Sequence, residues 1–170
     1  MEIRTERLLL RHPMPSDAQS YLAIYNSEFV LRYNAMEKKT LAQVEKLFSG
    51  PCEDTLLLQH IATGQILGAV FMQEDSLRYG VESVELSYFL DEKSTGCGYM
   101  REALRGLISH LFAEGNRCVA ARAFVPNEAS RKLLCALGFH CDGVIPLCVK
   151  GYGGEIFDDS LYSLLADQWR

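Results

Sequence analysis

The amino-acid sequence predicts a mixed α/β fold, with a central, mostly antiparallel sheet of about seven strands flanked by about four helices. Short apolar stretches, several with period-two alternation, indicate the strands, and apolar residues at helical spacing indicate the helices. Glycine-containing turns join two pairs of strands as hairpins. One strand–helix–strand unit, residues 84–124, predicts a single parallel pair, because its right-handed crossover places both strands in one sheet.

The N-terminal part supplies three strands and two short helices. Pro13 ends a leucine-rich first strand, and Ser16-Asp17 and Thr40 are N-cap signals for the helices. The strands are predicted at residues 3–11, 56–62 and 66–73, and the helices at residues 16–25 and 40–48. Residues 28–39 carry aromatic and basic side chains without a clear period. They fit either a packed loop or the entrance of a substrate site.

The central strand, residues 84–90, alternates between an apolar face and a face that carries polar groups. Val84, Leu86, Tyr88 and Leu90 share the first face, and Glu85, Ser87 and Phe89 share the second. A helix is predicted over residues 99–112, because its apolar residues recur at helical spacing and Gly115 follows as a stop signal.

Gly96 and Gly98 form the turn that opens this helix. Free backbone N–H groups and the positive end of the helix dipole meet at such a turn, and this combination binds phosphate. Neither of two common nucleotide motifs is present: no Gly-Lys-Ser or Gly-Lys-Thr follows, and Arg101 stands where a dinucleotide fingerprint needs Gly or Ala. The sequence indicates a short anion-binding loop, with a plain tight turn as the alternative.

The C-terminal part is predicted as a buried strand, a helix and a final antiparallel pair. Asn127 is the N-cap of the helix, Gly138 ends it, and a glycine-rich turn at residues 151–154 joins the last two strands. The strands are predicted at residues 118–124, 141–149 and 155–165, and the helix at residues 128–137.

Composition narrows the functional class. The length of 170 residues favours one domain, residues 1–170, and the net charge of −5 does not favour a nucleic-acid partner. The chain has no apolar stretch long enough to span a membrane, and its first residues lack the apolar core of a secretion signal. We therefore expect a cytoplasmic protein with no membrane partner.

The six cysteines favour neither disulfides nor a metal site, because they lack paired C-x-x-C spacing. We expect most of them to be small buried side chains. Cys97 differs because it lies in the proposed anion loop, where a helix N-terminus can activate a thiol. A nucleophilic role is the less favoured alternative, since no histidine is near it in the sequence.

Two motifs, in order, resemble the signatures of the GNAT superfamily of acetyl-CoA-dependent N-acetyltransferases. Residues 93–98 (KSTGCG) resemble the family loop Gln/Arg-x-x-Gly-x-Gly/Ala, and residues 127–139 (NEASRKLLCALGF) resemble its Asn-opened helix that ends in Gly-Phe. Residues 5–11 (TERLLLR) and 159–169 (DSLYSLLADQW) are similar to the branch of ribosomal-protein-alanine N-acetyltransferases. The resemblance covers about residues 3–169.

The resemblance implies a GNAT-like fold in which the parallel strands splay apart and acetyl-CoA, the cosubstrate, lies between them. It implies that backbone groups of Phe89 and Leu90 hold the pantetheine arm. Amides from Ser94 to Met100 would cradle the pyrophosphate, beside Lys93. The implied cofactor-binding residues are Phe89, Leu90, Lys93, Ser94, Thr95, Gly96, Cys97, Gly98, Tyr99, Met100, Asn127, Ser130 and Arg131, with Lys132 as an alternative to Arg131. No metal is implied, and either a monomer or a homodimer is expected.

The chain departs from the family pattern at two positions. Lys93 replaces the usual Gln or Arg of the loop. Leu134 replaces a Tyr that, in many members, is proposed to protonate the leaving thiolate, so Ser130 or water is the remaining acid. This loss keeps open a non-catalytic acyl-CoA-binding sensor, and an interaction module without ligand is a third hypothesis.

The leading hypothesis is acetyl transfer to a primary amine, either a protein or peptide N-terminus or a small molecule, by direct attack in a ternary complex. Glu85, on the polar face of the central strand, is the candidate base, with Glu82 as the alternative. An α-amine is roughly a tenth unprotonated at pH 7, whereas a lysine amine is below about 0.1%. A site with weak acid–base machinery therefore suits α-amines better.

Overall fold

One eight-stranded sheet runs through the computed structural model, which describes residues 1–170, and five α-helices flank it. The strands are β1 (Glu2–Arg4), β2 (Leu8–Arg11), β3 (Thr55–His60), β4 (Ile66–Glu74), β5 (Ser83–Leu90), β6 (Cys118–Phe124), β7 (His140–Lys150) and β8 (Ile156–Leu165). The helices are α1 (Ala18–Tyr25), α2 (Glu28–Leu31), α3 (Leu41–Phe48), α4 (Tyr99–Ala113) and α5 (Glu128–Ala136). The predicted mixed α/β fold with one parallel pair is confirmed.

The parallel pair, β5 and β6, lies in the middle of the strand order β1-β2-β3-β4-β5-β6-β8-β7. Its ladder is short and runs only from Ser83↔Cys118 to Leu86↔Ala121. Beyond it, β5 stays paired with β4 to Leu90, and β6 stays paired with β8 to Phe124. The two strands therefore diverge, and each keeps one edge free for another partner.

A glycine on β4 lies opposite Leu90, in the part of β5 that has diverged from β6. A Cβ atom at Gly68 would overlap the carbonyl oxygen of Phe89 and come within 3.0 Å of the Leu90 Cα. Gly68 therefore lets β4 and β5 approach more closely than a side chain would permit.

The N-terminal strand differs from its prediction. The chain turns within residues 3–11, so that β1 and β2 pair as a hairpin instead of forming one strand. The turn is held by the Glu102 carboxylate of α4, which accepts from Thr5 Oγ1 at 2.6 Å, from the Arg7 amide at 2.7 Å and from Arg7 Nε at 2.7 Å. The turn could not be predicted from the local sequence, because the carboxylate that holds it lies 95 or more residues away in the chain.

Most predicted helix starts and strand positions are confirmed. Thr40 caps α3 in a capping box with Gln43, and Asn127 Oδ1 accepts from the Ser130 amide at 3.2 Å to cap α5. Asp17 is the N-cap residue of α1, as predicted, but its side chain makes no capping hydrogen bond. Asp17 instead accepts two bonds from the Arg11 guanidinium and one from the Met14 amide, which fastens β2 to the start of α1.

Two apolar clusters cover opposite faces of the sheet. The larger packs α4 and α5 on one face, and the smaller packs α1 and α3 on the other. On β5, Leu86 belongs to the first cluster and Phe89 to the second, as the predicted alternation requires. None of the helices combines the length and the apolar character needed to cross a membrane.

We predict that Gly68→Ala lowers the free energy of unfolding by about 1–3 kcal/mol, because the new methyl group meets backbone that must shift. Urea denaturation measures the change. Gly143→Ala on β7 is the matched control, since a Cβ there meets nothing within 4 Å and its φ is not positive. Equal stability of the two variants would show that β4 and β5 do not depend on close approach.

Candidate active site

A cavity of about 520 Å³ lies on the sheet where β5 and β6 diverge. Ser87 and Phe89 of β5, Phe124 of β6, and Asn127 and Ser130 at the start of α5 line it. β5, β6 and the start of α5 therefore meet in one place.

The backbone of β5 presents alternate residues to this gap. The Asp91 amide donates to the Leu67 carbonyl of β4 at 2.7 Å, so the polar groups of Asp91 point toward β4. Strand alternation then turns the groups of Phe89 toward β4 as well, and those of Tyr88 and Leu90 toward the gap. The backbone groups of Tyr88 and Leu90, and not those of the predicted Phe89, are therefore the ones that face a ligand in the gap.

The loop before α4 has a run of backbone amides that bond to no protein acceptor, at Gly96 to Arg101. Gly96 and Gly98 adopt φ values of +73° and +79°, a left-handed conformation that other residues rarely adopt. Six successive free amides at the N-terminus of a 15-residue helix form a binding surface for an anion.

The predicted start of this amide run, at Ser94, is wrong. The Ser94 and Thr95 amides donate to the carbonyls of Asp91 and Glu92, at 2.9 and 3.1 Å, and close a short 3₁₀ turn. This turn uses two of the expected donors, so the free run begins at Gly96.

Arg7 fixes the position of the loop and was missed in the sequence. Its Nη1 donates to the Cys97 carbonyl at 3.0 Å, its guanidinium stacks 4.4 Å from the centre of the Tyr99 ring, and its Nε pairs with Glu102. Partial burial acts to raise the pKa of Glu102, but hydrogen bonds from Thr5 and Arg7 outweigh it and hold that pKa below its ordinary value. Glu102 is therefore ionised at neutral pH.

Glu85 lines the cavity from β5 as a half-buried carboxylate that accepts no hydrogen bond from the protein. Burial raises its pKa above the ordinary value. The charge of Arg122 opposes this, while those of Asp75 and Asp159 reinforce it. Arg122 itself pairs with the buried Asp159 through a 2.7 Å bond. Glu85 thus has the exposure and the elevated pKa of a proton acceptor.

Glu82, the alternative base, is exposed and does not line the cavity. Its main-chain carbonyl accepts from the Arg117 and Cys118 amides. The structure therefore favours Glu85 by position.

Ser130 has a partner that the sequence analysis did not identify. Its Oγ lies 2.7 Å from the hydroxyl oxygen of Tyr88, a residue assigned only to the apolar face of the strand. Burial raises the pKa of Tyr88 to about 12, so its hydroxyl stays protonated at neutral pH. Leu134 is buried and offers no proton. Tyr88 and Ser130 thus bring two hydroxyl groups into contact in the cavity, beside the start of α5.

The remaining predicted residues have other contacts. Arg131 donates to the Val125 carbonyl at 3.1 Å and contacts the Tyr162 hydroxyl, and Lys132 pairs with Glu128. Lys93 is exposed, and Met100 is buried in the core below α4. The exposed Cys97 thiol bonds to no histidine or carboxylate. No group of three or more His, Cys, Asp and Glu side chains is placed to hold a metal ion.

Comparison with known proteins agrees with this geometry. The model of the acetyltransferase (GNAT) domain family matches residues 7–140. An uncharacterized N-acetyltransferase of Bacillus subtilis (strain 168), YoaA, is 24% identical over 185 aligned positions, which cover 96% of each chain.

Two solved structures share the fold. Ribosomal-protein-S5-alanine acetyltransferase from Vibrio fischeri has a TM-score of 0.86 at 22% identity and covers 100% of this chain and 99% of its own. Microcin C7 self-immunity acetyltransferase MccE, solved in complex with acetyl-CoA and AMP, has a TM-score of 0.81 at 17% identity, over 94% and 93% of the two chains.

Proposed function

The chain belongs to the GNAT family of acetyltransferases, and we propose that it transfers an acetyl group from acetyl-CoA to a primary amine by direct attack in a ternary complex. The observation that carries the proposal is the run of free amides from Gly96 to Arg101, in the loop that follows β5, the strand that diverges from β6. An anion site just after a strand with an unpaired edge suits a ligand that has a diphosphate at one end and an amide-containing arm.

The chain's own groups fit acetyl-CoA along its length. The free amides would bind the diphosphate at the positive end of α4, and the gap-facing groups of Tyr88 and Leu90 would bond the pantetheine amides. The thioester would then lie at the cavity beside Ser130. The MccE complex with acetyl-CoA supports this choice of cosubstrate.

Positioning accounts for most of the expected rate. Holding amine and thioester in contact can lower the barrier by roughly 7–11 kcal/mol, and one aimed backbone donor adds about 3–4 kcal/mol. The amine nitrogen forms a bond to the carbonyl carbon, the C–S bond breaks, and the sulfur receives a proton. The residues of the cavity therefore need to remove one proton and supply another.

Glu85 is the proposed acceptor of the amine proton, directly or through water. Its carboxylate lines the cavity, and its raised pKa brings it closer to the working pH than an ordinary glutamate. An α-amine places the smaller demand on this base, because a larger fraction of it is unprotonated at neutral pH.

Ser130 is the proposed donor to the leaving sulfur, and Tyr88 is a positioning residue behind it. A Tyr88 hydroxyl that donates to Ser130 Oγ leaves the serine proton free to point into the cavity. This pair replaces the tyrosine that is absent at Leu134. A non-catalytic sensor is less favoured, because acid and base candidates line the same cavity.

We predict that Gly98→Val raises the dissociation constant for acetyl-CoA by at least about tenfold, because valine resists the left-handed conformation that orients the free amides. Isothermal calorimetry measures the effect. Gly115→Val, at the other end of α4, is the matched control, since Gly115 also has a positive φ and a Cβ there meets nothing. Retained affinity in Gly98→Val would remove this loop from the binding site.

We predict that Glu85→Gln lowers kcat/KM by about a hundred- to ten-thousand-fold and alters the fall in rate on the acidic side, leaving only the part that protonation of the amine causes. The unmodified enzyme loses activity as the pH drops through the raised pKa of Glu85, because the protonated carboxyl accepts no proton. Steady-state rates across pH measure both effects, with the exposed Glu82→Gln as control. An unchanged pH profile in Glu85→Gln would exclude Glu85 as the base.

We predict that Ser130→Ala lowers kcat by about a hundredfold and Tyr88→Phe by less, with the KM for acetyl-CoA unchanged in both. Because Tyr88 acts through Ser130, the double variant should be no slower than Ser130→Ala alone. Single-turnover kinetics with a double-mutant cycle measures this coupling. Losses that multiply would show that the two hydroxyls act independently.

A further inference from the structure

We infer that the acceptor amine is carried on an aromatic body, which packs among aromatic side chains from both sides of the gap. The inference rests on the proposed acetyl transfer and adds the class of acceptor. Aromatic residues lining the cavity come from α1, β4 and β5 on one side of the β5/β6 gap, and from β6 and the loop after α2 on the other. They are Tyr21, Tyr25, Tyr33, Phe71, Tyr88, Phe89 and Phe124.

The first group of rings is built around Phe89. Its ring centre lies 5.7 Å from Tyr21, 5.9 Å from Tyr25 and 5.8 Å from Phe71, in tilted and edge-on arrangements. Since these rings also belong to the core cluster below α1 and α3, they are held rigidly. They form a preorganised apolar wall of the cavity.

The second group joins Phe124 and Tyr33 through Phe157 of β8. Phe157 stacks on Phe124 with centres 4.9 Å apart and meets the Tyr33 ring edge-on at 6.2 Å. Phe124 lies on β6 and Tyr33 on the loop after α2, so this wall faces the gap from the side opposite Phe89. An aromatic ligand is favoured in such a setting because offset and edge-on ring contacts add to the burial of apolar area.

Two connecting segments close the cavity near Tyr33. The Tyr152 amide, in the β7–β8 turn, donates to the Asn34 carbonyl at 3.0 Å, and the Lys38 ammonium lies 5.9 Å from the centre of the Tyr152 ring. These contacts join the loop of residues 33–39 to the turn of residues 151–154. Protein therefore covers the Tyr33 end of the cavity, whose volume of about 520 Å³ lies within the range of about 300–1,000 Å³ that is usual for small-molecule sites.

Charge fixes the orientation of the acceptor. The charged lining residues carry two positive and three negative charges, or −1 in sum: Lys39, Arg122, Asp54, Glu85 and Asp159. Arg122 and Asp159 neutralise each other in their ion pair. Asp54 accepts a hydrogen bond from Thr55, whereas Glu85 accepts none, so Glu85, beside the gap, is the carboxylate available to an ammonium. The aromatic body extends from it among the rings.

The test compares acetylation of three α-amines that share a backbone: phenylalaninamide, cyclohexylalaninamide and alaninamide. We expect kcat/KM to be roughly ten- to hundredfold higher for phenylalaninamide than for alaninamide, because only the former buries a ring. Cyclohexylalaninamide should fall between them, since it is apolar without ring-to-ring contacts. A preference for alaninamide, or equal rates for all three, would overturn the inference and leave acetyl transfer intact.

Variants at Tyr33 test whether the preference for phenylalaninamide arises from the aromatic wall of the cavity. Tyr33→Ala should lower kcat/KM for phenylalaninamide about tenfold while leaving alaninamide and the KM for acetyl-CoA unchanged, and Tyr33→Phe should retain the preference because it retains the ring. Tyr79→Ala, at a side chain that is 94% exposed, is the control outside the cavity. An unchanged ratio of the two substrates in Tyr33→Ala would also overturn the inference.

A protein that acetylates none of the three amines would count against the proposed function. In that case calorimetry of phenylalaninamide with the CoA-loaded protein decides the inference separately. Binding that Tyr33→Ala weakens supports an aromatic acceptor site, and absence of binding overturns it.

Discussion

The short ladder between β5 and β6 is the constraint on which the rest of the site depends. Four residue pairs join the strands, and past Leu86 and Ala121 each strand remains bound only to its outer neighbour. The sheet thereby opens between β5 and β6 while each strand stays paired with its outer neighbour. Gly68 lets β4 stay close to β5 where β5 turns away from β6. The middle of the sheet therefore contains a groove lined by unpaired backbone groups, which a ligand with amide groups can occupy.

The groove alone would not determine which ligand binds. Contacts between residues far apart in the sequence add to it by holding the anion-binding loop in place. Glu102 and Arg7 tie the N-terminal hairpin to the first turn of α4, and Arg7 also holds the glycine loop through the Cys97 carbonyl. The free amides therefore occupy fixed positions before a ligand arrives, which lowers the ordering cost of binding. On the other side of the gap, the Asn127 cap fixes the Ser130 amide and the Ser130 hydroxyl contacts Tyr88.

Features fixed by neighbouring residues could be predicted from the sequence. The glycine loop, the Asn127 cap, the hairpins and the two faces of β5 depend on local conformation or period and were located correctly. Features fixed by distant contacts could not be predicted. The turn inside residues 3–11 depends on Glu102, the role of Arg7 depends on Cys97 and Tyr99, and Tyr88 meets Ser130 only because the strands and α5 fold together. The Ser94 and Thr95 amides were misassigned because a 3₁₀ turn left no distinct pattern.

The central claim is that the amides from Gly96 to Arg101 bind the diphosphate of the cosubstrate. Amide NMR spectra recorded during a titration with coenzyme A test it most directly. We predict that these six amide protons move downfield as they gain phosphate acceptors, while those of Ser94 and Thr95, which already bond to Asp91 and Glu92, change little. If coenzyme A binds and the six signals stay in place while other amides move, the diphosphate lies elsewhere and the account is contradicted.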